Sequence, residues 1–163
     1  MAIQDLPPHP AKGQRRALDQ QWLEKLYLEG RSALPTCIPE PPPEFELALA
    51  EFDSGLYWEC HETLERLWLA EPYPMRPFYH GLIKAAVGLF HLERRNRKGA
   101  ISKLTDAVYT LAPFNPETMG IDVHQLQRDI MNRLEIIKET LTLGRKHFDE
   151  PAVQIHRSSR KSC

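Results

Sequence analysis

His61 and Glu65 are the residues of this chain whose types and spacing most invite chemistry. They stand four positions apart in His61-Glu62-Thr63-Leu64-Glu65-Arg66-Leu67-Trp68, so a helix at about 100° per residue stacks them one turn apart. In the same projection Tyr57, Trp58, Cys60, Leu64, Leu67, Trp68 and Leu69 fill an arc of about 200° that contains both. Glu59, Thr63 and Arg66 take the opposite face, and Glu62 sits on the border. An imidazole and a carboxylate on an inward face must be paired, neutralised or metal-bound, because an isolated buried charge is too costly.

Three chemistries are open to such a pair. A divalent metal such as Zn²⁺ takes imidazole nitrogen and carboxylate oxygen, usually in sets of three or four. His61 and Glu65 would give two ligands, and a third could come from His80 or His91. Both cannot serve, since on one helix they stand about 16 Å apart. A hydrogen-bonded lock is the second chemistry: His61 donates to Glu65 or to a backbone carbonyl and fixes two helices against each other. General acid–base catalysis is the third, because such pairs acquire the shifted pKa values common at active sites. It would also need a cleft that holds substrate. The chain has no G-x-S-x-G, its glycines are isolated, and Cys60 points about 100° away from His61.

The elements that must position these residues are helical. Proline divides the chain: eight of its 14 prolines precede Glu44, Pro72, Pro74 and Pro77 follow, and none occurs from Phe78 to Ala112. Between these breaks the apolar spacing follows the helical period. A first helix is expected over Gln14–Glu29, then a proline-rich strap over Ser32–Pro43 and a short helix over Glu44–Asp53. Leu56–Ala70 carries the His/Glu pair. The stretch from Arg76 to about Arg95 is apolar around most of its circumference, which marks a central helix. Gly81, Ala85 and Gly88 there permit close neighbours. Its polar stripe is His80, Lys84, His91 and Arg95, with Asn96 as the stop. Two further helices follow over Lys98–Ala112 and from an Asp122 cap through Leu141. No segment reads as a strand. The expected architecture is all-α, one bundle of about six helices over 14–146, with a flexible arm at 1–13 and a flexible tail at 147–163.

Composition narrows the partners. With 21 basic and 22 acidic residues, overall charge favours neither nucleic acid nor an acidic membrane. The basic turn Glu93-Arg94-Arg95-Asn96-Arg97-Lys98 suits a helix C-terminus and lacks the interleaved aromatics that stack on bases, so no nucleic acid is expected. Cys37, Cys60 and Cys163 form no C-x-x-C and fit a reducing compartment. No apolar run approaches the ~20 residues of a membrane span, so a cytoplasmic protein is expected. A homo-oligomer and an unidentified protein partner both stay open.

One stretch has a familiar pattern. Phe52-x-x-Gly55-x-Tyr57-Trp58-Glu59-x-His61-Glu62-x-Leu64-Glu65-x-x-Trp68 resembles the signature of a small prokaryotic family known as domain of unknown function 309. The hallmark H-x3-E-x2-W is met by His61, Glu65 and Trp68, with Gly55 and Tyr57 as structural members. A second block, Phe78-x-x-Gly81-Leu82-Ile83-x-Ala85-Ala86 with His91 and Asn96-x-x-Gly99-Ala100, is similar too. His80 and the pair Arg94-Arg95 depart from the pattern. The resemblance implies an all-α bundle around a central helix and a metal-binding role for the hallmark residues, and it favours His91 over His80 as the third ligand. Glu62, Lys84 and His80 would then support the ligands from behind. It implies no reaction. The expectation is therefore a largely buried His61–Glu65 pair with His91 close by, in an uncharacterised metal-binding protein or a structural or interaction module.

Overall fold

A computed structural model describes residues 15–38, 40–71, 75–143 and 153–158. In chain order the helices are α1 (Arg15–Glu29), α2 (Glu44–Asp53), α3 (Tyr57–Ala70), α4 (Arg76–Glu93), α5 (Arg97–Leu111) and α6 (Val123–Leu143). Their limits follow from local chemistry. Pro43 leads into α2 and Pro77 sits in the first turn of α4, where a missing N–H costs nothing. Gly55 turns the chain between α2 and α3 at φ +77°, a backbone setting that strains any L side chain even where space is open. Asp122 opens α6 by accepting a hydrogen bond from Gln125 N at 2.9 Å.

Asn96 has a different role from the expected stop. Its Oδ1 accepts from Gly99 N at 3.0 Å and so caps the start of α5. Helix α4 has already ended, and Arg95 turns the chain at φ 59°.

The centre is α4, as its apolar circumference requires. Phe78, Tyr79, Leu82, Ala85, Ala86 and Leu89 are all buried, as are Leu64 of α3 and Leu104 and Leu111 of α5. Helix α4 packs chiefly between α3 and α5, with α2 against α3, α6 against α5, and α1 across part of α4. Phe45 of α2 meets Tyr79 edge-on with ring centroids 5.7 Å apart, and Phe78 meets Phe114 at 5.3 Å. Both glycines of α4 face α5. A methyl on Gly81 would come within 2.6 Å of Leu111 Cδ2, and one on Gly88 within 2.7 Å of Leu104 Cγ.

Two features depart from an all-helical chain with a loose end. Glu117–Thr118 (β1) and Ile121–Asp122 (β2) form a minimal antiparallel hairpin, pairing Glu117 with Asp122 and Thr118 with Ile121. The segment 153–158 docks on it, in contrast to the flexible tail expected over 147–163. Asp122 N donates to His156 O and Ser158 N to Gly120 O, both at 2.9 Å, and Ile155 N donates to Asp53 Oδ1 at 3.0 Å. Arg157 pairs with Glu46. Val153 and Ile155 are buried at 3% and 6% exposure; they alternate with polar residues, a period of two rather than the helical one. The expected arm at 1–13 and the rest of the expected tail lie outside the described residues. No described helix is long and apolar enough to cross a membrane. Cys60 is a buried free thiol whose pKa burial pushes up to about 12. Cys37 is disulfide-bonded, which departs from the reduced state inferred for the cysteines.

Candidate functional site

Helix α3 is turned by roughly 90° from the orientation its apolar residues imply. Cys60, Thr63, Leu64 and Leu67 are buried, Tyr57, His61 and Trp68 are half-buried, and Glu62 and Glu65 are exposed. Trp58 is 47% exposed and Leu69 38%, while Thr63 is 2% exposed. Two apolar side chains on the solvent side and a hydroxyl on the inner side shift the centre of the apolar arc away from the true contact face.

That rotation decides the standing of the His/Glu pair. His61 Nε2 lies 3.6 Å from Glu65 Oε2, with the side chains 17% and 48% exposed, so the two are neighbours at the helix surface rather than in the core. The other ring nitrogen faces the carbonyl of Trp58 at 3.0 Å; a carbonyl only accepts, so Nδ1 carries a proton there. The imidazole rests against the Trp58 ring at 4.6 Å, and Trp58 rests on Phe90 of α4 at 5.1 Å. His91 does not join them. Its Nδ1 accepts from Asn96 Nδ2 at 3.3 Å, at the turn into α5. Tyr57 packs edge-on against Phe52 at 5.5 Å, beside the Gly55 turn. Among the described residues no three His, Cys, Asp or Glu side chains converge as ligands. Two donors on one half-exposed helix face do not fit a zinc site, which holds three or four protein ligands.

The remaining candidates, Trp68, His80 and Lys84, meet in a different place. They line a cleft of about 480 Å³ with Asp19, Gln20 and Leu23 of α1, Pro77 of α4, and Lys103, Asp106 and Thr110 of α5. Helical spacing gathers them: His80 and Lys84 are one turn apart on α4, and Lys103, Asp106 and Thr110 follow the i, i+3, i+7 rule on α5. Arg76 lies beneath, fully buried, its Nε 3.8 Å from Asp19 Oδ1 and its guanidinium 4.8 Å from the Trp68 ring centre. His80 stacks on the same indole at 5.0 Å and 26°. Trp68 Nε1 is buried without a hydrogen-bond partner among the described residues. The hallmark tryptophan thus serves as the platform of a cleft rather than as a neighbour of the His/Glu pair.

Lys84 is the group at the centre. Its Nζ donates to Thr110 Oγ1 at 2.9 Å, and no described carboxylate comes within 4 Å of it. Burial pushes its pKa below the ordinary lysine value, against an opposing pull from Asp106 and with reinforcement from Lys103. An ammonium that is half out of water and held by one hydroxyl retains two N–H donors for another acceptor. The sequence supplied one signal for this site, the polar stripe through His80 and Lys84. Asp19, Arg76, Lys103, Asp106 and Thr110 carried none, because their convergence depends on how three helices cross.

Comparison with known proteins agrees with the pattern and adds no activity. Residues 45–102 match the model of the family described as domain of unknown function (DUF309), so the resemblance carried by the H-x3-E-x2-W stretch holds from α2 into α5. Uncharacterized protein YpuF of Bacillus subtilis (strain 168) is 31% identical over 87 residues, which cover 50% of this chain and 50% of that protein. The chain therefore spans about half the length of the curated relative it matches. No solved structure matches it. Of the cleft, Trp68, Pro77, His80 and Lys84 fall inside the matched segment, whereas the contributions of α1 and the later turns of α5 fall outside it.

Proposed function

We propose that this protein is a ligand-binding helical bundle whose cleft between α1, α4 and α5 receives a small anionic group at Lys84. The observation that carries this reading is the half-buried Lys84 ammonium, hydrogen-bonded to Thr110 at 2.9 Å and without a carboxylate in contact, in a cleft of about 480 Å³. That volume is in the range of ligand pockets, about 300–1,000 Å³. An acceptor ion there would replace solvation that Lys84 loses on burial. The lining is mostly polar, and Leu23, Trp68 and Pro77 add an apolar part, so the cleft offers a ligand charged partners together with some apolar contact. The test is calorimetric titration of acetate and inorganic phosphate into the intact protein and into Lys84→Met. Saturable binding of either ion that disappears in the variant is expected. Equal binding by both proteins, or none by the parent, overturns the reading.

A second reading, a protein-interaction module, is favoured by Trp58 and Leu69, exposed at 47% and 38% on the same side of α3. It predicts concentration-dependent association in sedimentation velocity that Trp58→Ser removes. A monomer at all concentrations, in the absence of other proteins, counts against self-association through that face.

A further inference from the structure

We infer that the ligand of the cleft is a zwitterion of the α-amino-acid type, its carboxylate on Lys84 and its ammonium on Asp106. This inference rests on the anion-binding reading above and goes beyond it in naming the ligand class. The starting point is that the cleft carries both signs of charge. Lys84 and Lys103 bring two ammonium groups, and Asp19 and Asp106 bring two carboxylates. A ligand with only negative charge would gain from the lysines and lose against the carboxylates. In a partly desolvated cleft such like-charge contacts are costly, since interactions weaken far less than in water. A ligand whose opposite charges are two bonds apart removes that conflict.

The positions assign the ends. Asp19 is 7% exposed and lies 3.8 Å from Arg76, so it belongs to the wall. Asp106 is on the exposed side of α5, one turn from both Lys103 and Thr110, and makes no ion pair within 4 Å among the described residues. It acts electrostatically on Lys84 without touching it. The two groups therefore face a common space across the α4–α5 seam, each with capacity for one end of the same molecule. Leu23, Pro77 and the Trp68 indole form the apolar part of the lining. They give the side chain of an amino acid a place to go.

The experiment is calorimetry at neutral pH on the intact protein with acetate, methylammonium, glycine and leucine as probes. Leucine is expected to bind most tightly, glycine next, and acetate at least tenfold more weakly than leucine, about 1.4 kcal/mol. Asp106→Asn should bring leucine down to the affinity of acetate while acetate itself is held. Lys84→Met should abolish both. Circular dichroism melts of each variant confirm that the bundle is intact, and the exposed position of Asp106 makes its amide variant the safer probe. If acetate binds as well as leucine, or Asp106→Asn leaves the leucine preference in place, the zwitterion is overturned and the anion site stands. If no probe binds, or Lys84→Met binds leucine unchanged, the anion site itself is overturned and this inference with it.

Discussion

Lys84 is a stability liability that the bundle retains. Because burial lowers its pKa, the native state holds fewer protons than the unfolded chain at pH values between the depressed pKa and the ordinary 10.5. Stability should therefore rise with pH through that window, and Lys84→Met should flatten the rise in a series of urea titrations. His61 and Arg76 make a contrasting pair. His61→Ala removes a half-exposed i,i+4 contact and should cost no more than about 1 kcal/mol. Arg76→Ala withdraws a fully buried guanidinium from beside Asp19 and should cost about 3–5 kcal/mol. Chemical denaturation of the two variants settles the order; a costlier His61 would return weight to the signature pair. Residue identity made His61 conspicuous in the sequence, yet its importance depends on an angle that Trp58 and Leu69 obscure. Arg76 was inconspicuous because an arginine at the head of an apolar helix reads as a solvated end.

At the level of elements, the α4–α5 contact is the tightest seam. Both leucines opposite the glycines, Leu104 and Leu111, are 0% exposed, so neither can swing away. Gly81→Ala should destabilise by about 1–3 kcal/mol through overpacking. Gly88→Ala should be at least as costly, because its methyl would also come within 3.1 Å of the Leu104 backbone nitrogen. Leu82→Ala should cost about 2–5 kcal/mol by leaving a cavity. Thermal or urea unfolding of the three variants checks the series, and a neutral Gly88→Ala would mean that α4 and α5 lie farther apart. Much of this was legible beforehand: the period of α4, its near-complete apolar circumference and its small residues at one-turn spacing. What was not legible is directional. Asn96 can end one helix or begin the next, and only the chain geometry after Arg95 selects the second. The β1–β2 hairpin is too short to show any period.

For the whole molecule, the six-helix bundle was written in proline punctuation and helical spacing, whereas the cleft was not. Asp19, Trp68, Lys84 and Thr110 are distant in sequence, and local pattern carries no information about such meetings. The segment 153–158 escaped for another reason: its two apolar residues, Val153 and Ile155, are too few to announce an element and gain their meaning only from the surface they cover. Removing the chain from residue 153 onward should lower the melting midpoint on the order of 10 °C, since each buried aliphatic side chain contributes about 1.5–3 kcal/mol and each kcal/mol is about 2–4 °C for this size. A differential scanning trace unchanged by the truncation would show that the docked segment adds nothing to cohesion.

That docked segment also sets an order of events. Residues 153–158 leave the ribosome after all six helices, and their partners, Asp53 on α2 and Ile121 and Asp122 before α6, lie far upstream. The nascent bundle stands for a time with that surface bare, held by the packing of its helices around α4. Long-range pairings of this kind form late and open early. The amides of Asp122, Ile155 and Ser158 should thus exchange with solvent well before those of α4, so that the molecule seals last where it also breathes first.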